Sequence, residues 1–146
     1  MKIVGVVGSK RKNGNTETAV KIALQTAQNI GAEVDIILIS QMNINPCDGC
    51  GECKTKECHI EDDMSLALSK LIEADAIILA SPVYYGSVAG GFKCFLDRCR
   101  PLKQQGNKLS GKIGGCIAVG KVWGTSKRFR FNNSFFWFSW NNPNYD

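Results

Sequence analysis

Lys2-Ile-Val-Gly-Val-Val-Gly8 runs directly into Ser9-Lys-Arg-Lys-Asn-Gly-Asn-Thr16. The first stretch is β-rich and apolar with no polar alternation, the pattern of a strand buried on both faces in a parallel sheet. The second is a polar loop dense in hydroxyl, amide and cationic groups. Val20, Ala23, Leu24, Ala27 and Ile30 then recur at helical spacing, and Gly31 stands where a C-terminal cap belongs. Strand, loop and helix in this order form the opening of a βαβ unit.

The same order repeats downstream. Glu33 to Ser40 gives a second strand, and Met64, Ala67, Leu68, Leu71 and Ile72 make a helical stripe that Asp62 or Asp63 can cap. Ala76 to Ala80 is a third buried strand, closed by Ser81-Pro82. After the loop Val83-Tyr-Tyr-Gly-Ser87, a helix carries Phe92, Phe95, Leu96 and Cys99 on one face, and Lys112 to Gly120 supplies a fourth strand. Such alternation predicts parallel strands joined by right-handed crossovers, a doubly wound α/β fold. At 146 residues the chain suits one domain whose core needs no covalent staple.

The net charge of +5 does not form a nucleic-acid footprint. Lys121, Lys127, Arg128 and Arg130 against Asp146 place +3 in the last 26 residues, which leaves +2 for residues 1–120. Met1-Lys2 leads into an apolar run too short for a signal-peptide core, and no stretch approaches the ~20 apolar residues of a membrane span. Neither nucleic acid nor membrane is an expected partner. The expected compartment is the cytoplasm, where thiols stay reduced and clustered cysteines read as metal ligands or redox groups.

Seven cysteines are present, and four fall in Cys47-Asp-Gly-Cys50-Gly-Glu-Cys53-Lys-Thr-Lys-Glu-Cys58, spaced C-x2-C-x2-C-x4-C. One short loop thus offers Cys47, Cys50, Cys53 and Cys58 to a single object. An iron–sulfur cubane takes one thiolate per iron and suits three closely spaced cysteines with a fourth nearby. A structural Zn²⁺ site and a redox dithiol remain open alternatives. Gly49 and Gly51 let the loop curl, and Lys54 and Lys56 offset negative charge. Cys94, Cys99 and Cys116 read as small buried hydrophobes. His59 is a neighbour rather than an expected ligand, and Asp62 and Asp63 read as helix caps rather than catalytic acids.

In open α/β sheets ligands bind beyond the carboxyl ends of the strands, so the loops after strands one and three matter most. The first is neither a Walker A nor a G-x-G-x-x-G loop, yet it suits a terminal phosphate. Ser9, Asn15 and Thr16 offer donors, Arg11 offers a charged fork, and the helix beginning near Asn15 aims N–H groups at an anion. An ordinary capped βα loop is the alternative. After the third strand, Pro82 and Gly86 fix a turn while Tyr84 and Tyr85 offer flat surfaces. Taken together, the two loops suit a planar mononucleotide.

These motifs, with Ile60-Glu-Asp-Asp-Met64, Glu73-Ala-Asp-Ala-Ile-Ile and Lys93-Cys-Phe-Leu-Asp-Arg98, resemble the NADPH-dependent FMN reductase-like superfamily over residues 1–120. The cysteine spacing resembles its iron–sulfur flavoproteins, flavodoxin-like electron-transfer proteins carrying FMN and a [4Fe–4S] cluster. The resemblance implies that Ser9, Arg11, Asn13, Asn15 and Thr16 hold the FMN phosphate. It implies equally that Pro82, Val83, Tyr84, Tyr85, Gly86 and Ser87 line the isoalloxazine, and that Cys47, Cys50, Cys53 and Cys58 ligate the cluster. No catalytic side chain is expected. Residues 1–120 form the flavodoxin-like domain, with residues 47–58 as a cysteine-loop insertion.

The implied function is electron transfer between a two-electron donor, with NAD(P)H a candidate, and a ferredoxin-like carrier or small-molecule acceptor, in a homodimer or homotetramer. The alternatives are a cluster-free NAD(P)H:FMN or quinone reductase and an inactive truncated domain. The latter arises because residues 121–146 change composition, holding all three Trp and five of the seven Phe. They read as an atypical aromatic tail, a truncated or frameshifted end. The family's glycine-rich loop after strand four, a normal fifth strand and the last helix are not recognisable in them.

Overall fold

A computed structural model describes residues 1–121. The aromatic tail, and with it the reading that a fifth strand and last helix are missing, lies outside the described residues apart from Lys121. In chain order the elements are β1 (Lys2–Val7), α1 (Asn15–Asn29), β2 (Glu33–Leu38), α2 (Met64–Glu73), β3 (Ala76–Tyr84), β4 (Ser87–Val88), α3 (Gly90–Arg98), α4 (Arg100–Gln104) and β5 (Ile113–Val119).

Four strands run parallel in the order β2-β1-β3-β5, and β4 pairs antiparallel with the end of β3. The order reverses between β1 and β3, so this is the flavodoxin-like doubly wound arrangement expected from the sequence. Both faces of the inner strands β1 and β3 are covered, which explains their unbroken apolar runs, whereas no residue of β5 is fully buried. On one face Val4, Val6, Ile37, Ile77 and Leu79 meet Met64 and Leu71 of α2 and Phe92 and Phe95 of α3. On the other, Ile3, Val7, Ala76 and Ala80 meet Val20 and Leu24 of α1. Gly5 faces α1, and a Cβ there would stand 2.5 Å from Val20 Cγ1, so its lack of a side chain brings helix and strand together.

β3 corrects one boundary. Instead of ending at Ala80 it continues to Tyr84, because β5 extends beside it as far as the Pro82–Val119 pair and β4 folds back along its end. Pro82 is tolerated because the β1 pairing ends at Ala80, so at this level β3 has a neighbouring strand on one side only. The Ser81 hydroxyl, fully buried, accepts from the Ala89 N–H at 3.1 Å and ties the hairpin to the start of α3.

Gly8 is as tight as Gly5 and is closed in by backbone as well as side chain. Its N–H donates to Ala80 O at 2.7 Å, and a Cβ would lie 2.5 Å from Phe92 Cγ and 2.8 Å from Ala80 O. The carbonyl belongs to a sheet strand and cannot swing aside as a flexible side chain would. Gly8→Ala is therefore expected to lower the unfolding free energy by about 1–3 kcal/mol in urea titrations. A variant as stable as the parent would show that β1 and β3 can separate at this level.

Candidate functional site

A cleft of about 390 Å³ opens beyond the carboxyl ends of β1, β3 and β5, within the size range of small-molecule sites. Ser9, Arg11, Asn15 and Thr16 form one side, and Pro82, Val83 and Tyr84 form another. The two loops singled out in sequence are thus brought together. Gly14, Val119, Gly120 and Lys121 also line the cleft and were not among the expected residues. The rule placing ligands beyond strand ends applies equally to β5, and that was the signal available for the last three.

The polar side is built around the start of α1. Gly14 occupies the N-cap position and makes no side-chain capping bond, so the helix presents its first-turn N–H groups and positive dipole end uncapped by a side chain. The Ser9 hydroxyl accepts from the Arg11 N–H at 3.1 Å and shapes the turn. Asn13 does not line the cleft. It adopts φ of +52°, and its N–H donates to the buried Glu17 carboxylate at 2.7 Å. Its contribution is to the bend of the loop. Lys21 and then the Asn13 N–H hold Glu17 below the usual carboxylate range.

Tyr85 and Gly86 have φ of +42° and +87° and join Val83–Tyr84 to Ser87–Val88 as a two-residue hairpin. Positive φ at both central positions matches the right-handed twist of the strands. Tyr85, fully exposed, Gly86 and Ser87 lie at the hairpin rather than on the cleft wall, so this loop divides into wall and tip.

The cysteine loop is docked elsewhere. Gln105, following α4, donates to Cys53 O at 3.2 Å and Lys56 O at 3.0 Å, and Cys53 is buried. Cys47 and Cys50 are exposed and Cys58 is half-buried. Gly49 and Gly51, at φ of +76° and +77°, make the loop curl as expected. None of the four thiols lines the cleft.

A single tetrahedral Zn²⁺ with bonds of about 2.3 Å would draw its sulfurs to within about 3.8 Å of one another. Among the described residues, the group of three possible ligand atoms within 4.8 Å of one another is Asp48, Cys50 and His59, not three of the thiols. His59 Nε2 lies 2.9 Å from Asp48 Oδ2, and Nδ1 lies 3.7 Å from Cys50 Sγ. Four thiols on one curled loop, no three of them gathered within 4.8 Å, suit as a donor set a centre whose thiolates each bind a different iron. A backbone bond to Glu52 is the largest influence on the Cys50 thiol and lowers it, but desolvation together with Asp48 and Glu52 leaves the thiol displaced upward.

Asp62 departs most from its expected role. Its carboxylate is fully buried and takes a bidentate contact from Arg98, Nη1 to Oδ2 at 2.6 Å and Nη2 to Oδ1 at 3.1 Å. It also accepts from the Met64 N–H at 3.0 Å and the Asn45 N–H at 2.9 Å, so helix capping is one of three functions. Asp63 takes the N-cap position of α2 but makes no capping bond; its side chain accepts instead from the Asn43 N–H at 2.7 Å. Arg98 received no role from the sequence, although it lies three residues beyond Phe95 on the helix face that carries the core aromatics. Cys99 is buried while Cys94 and Cys116 are half-buried, and burial pushes Cys116 up to about 12.

Burial raises the pKa of Asp62, but Arg98 and the two N–H donors outweigh it and the net displacement is downward from 3.8. A lowered carboxylate contributes stability above its unfolded pKa and loses it as pH falls through the folded value. Asp62→Asn is therefore expected to cost about 3–5 kcal/mol at neutral pH by stranding Arg98. Stability of the variant should also fall less steeply than that of the parent between about pH 4 and 2. Urea unfolding at a series of pH values checks both, and parallel pH profiles would contradict the assignment.

Residues 1–132 match the NADPH-dependent FMN reductase family. An iron-sulfur flavoprotein of Methanocaldococcus jannaschii is 45% identical over 121 residues, covering 82% of this chain and 62% of that one. Another, from Archaeoglobus fulgidus, is 46% identical over 120 residues, covering 82% and 54%. The chain therefore spans little more than half the length of these relatives. The crystal structure of RosB, with a bound riboflavin-5'-phosphate derivative, superposes with a TM-score of 0.78 at 16% identity, covering 97% of this chain and 61% of that one. That likeness bears on the fold alone. With the strand order, the cleft at its switch point and the match over residues 1–132, the chain belongs to the NADPH-dependent FMN reductase family.

Proposed function

We propose that the protein is a flavin-dependent oxidoreductase that holds FMN in the cleft and a [4Fe–4S] cluster on the cysteine loop. It would move electrons between a two-electron donor, such as NAD(P)H, and a one-electron carrier of the ferredoxin type or a small-molecule acceptor. The observation that carries this reading is the single cleft uniting an uncapped helix start and Arg11 with the wall formed by Pro82, Val83 and Tyr84. FMN exchanges two electrons or one, and an iron–sulfur cluster one at a time.

The chain's own residues bind and orient. Arg11, Ser9, Asn15 and Thr16, with the α1 N–H groups, bind the phosphate, and Asn13 shapes their loop. Pro82, Val83 and Tyr84 flank the isoalloxazine, while Tyr85, Gly86 and Ser87 set the position of that wall. Cys47, Cys50, Cys53 and Cys58 would hold the cluster. Because none of these thiols lines the cleft, transfer between the flavin of one subunit and the cluster of another, in a homodimer or homotetramer, accounts best for the separation. Reduced thiols suit the cytoplasm. Among the described residues, no helix is long and apolar enough to cross a membrane.

Anaerobically purified protein is expected to show flavin bands over a broad brown absorbance that dithionite bleaches. Flavin bands without iron or sulfide would instead support a cluster-free reductase. Cys50→Ala should lose iron and keep FMN. Arg11→Ala should weaken FMN binding by about tenfold to a hundredfold, the value of a charged hydrogen bond, with riboflavin binding little changed. Equal losses for FMN and riboflavin in flavin-fluorescence titrations would remove the phosphate assignment.

A further inference from the structure

The loop that carries the four thiols leaves and rejoins the fold through two short stems, Asn43–Asn45 and Ile60–Asp63. One stem pairs with the other, since Asp63 N–H donates to Asn43 O at 3.1 Å and Asn43 N–H returns to Asp63 Oδ2 at 2.7 Å. Arg98 reaches both stems from α3, donating to Asn45 O at 3.0 Å and Ile60 O at 3.4 Å beyond its bidentate pair with Asp62. Its side chain is only 3% exposed, so its charge is shielded little by water. Cys47 and Cys58 each lie two residues along the chain from a stem residue that Arg98 binds, Asn45 and Ile60. Lys54 and Lys56, to which charge compensation was first assigned, are exposed.

We propose that Arg98 is the positioning residue of the thiol loop, clamping both stems to α3 and to Asp62 and holding a buried positive charge at the base of that loop. Arginine meets both demands, since one planar, permanently charged fork can serve a carboxylate and two carbonyls at once. The clamp acts with or without a cluster. The electrostatic part rests on the preceding reading that the loop holds an iron–sulfur centre, whose reduced, more negative state a nearby buried cation favours.

Two measurements test it separately. In iron-free protein, trypsin cleavage after Lys54 and Lys56 should be at least about tenfold faster in Arg98→Gln than in the parent, the equivalent of roughly 1.4 kcal/mol of lost closure. Adding Arg98→Gln to Asp62→Asn should then produce no further acceleration, with far-UV circular dichroism unchanged. Equal cleavage rates, or independent multiplicative effects, would overturn the clamp. In iron–sulfide-reconstituted protein, Arg98→Gln should lower the midpoint potential of the cluster, whereas Arg98→Lys should stay near the parent. An unmoved potential in Arg98→Gln would overturn the charge role. Failure of the parent to take up iron would defeat the cluster reading and with it the charge role, and the trypsin result would still decide the clamp.

Discussion

The close contact at Gly8 governs what the rest of the molecule can be. A residue without a side chain lets the chain just beyond β1 donate from Gly8 to Ala80 O while Phe92 lies directly against the same backbone. The phosphate-type loop that follows Gly8 and the start of α3 are thereby fixed to each other. α3 then carries that register along its length, because Phe92 near one end meets β1 and Arg98 at the other meets the stems of the cysteine loop. A helix of nine residues is about 13 Å long, short enough to behave as one rigid piece. Cleft and thiol loop, though built from different segments, share that one support.

Much of this was legible because burial on both faces leaves a simple signature. Apolar runs such as Ile3 to Gly8 and Ala76 to Ala80 have no alternation to misread, and the helical stripes between them fix the βαβ order. The two binding loops were legible for a related reason: the strand-end rule converts sequence position into spatial position once the sheet is known. Detail within the loops was not. Whether Tyr84 or Tyr85 meets the cleft depends on a turn type set by positive φ at Tyr85, a conformation a bulky residue rarely signals. The length of β3 depended on β5 and β4, which lie later in the chain.

The Asp62–Arg98 pair was missed for a different physical reason. Helix-stripe analysis assigns charged residues to the solvent face, and a carboxylate before a helix reads as a cap. Both rules describe typical free energies, and a mutually buried pair escapes them because each charge removes the reason for excluding the other. Asp62 does perform the capping bond to Met64, so the local rule was satisfied while the larger role stayed hidden.

A buried ion pair is a poor way to add stability, since apolar residues of similar volume often do as well or better. Its presence between α3 and the cysteine loop therefore calls for an account other than folding energy. An apolar contact could have joined the stems to the helix, but it would have slid over several similar packings. A bidentate fork that also binds two carbonyls admits one arrangement. A loop whose thiols must meet a multinuclear object at fixed spacing gains from that restriction, and a loop of ordinary surface residues would not. If the loop holds the proposed iron–sulfur centre, the clamp and the thiol spacing serve one requirement, and each makes the other intelligible.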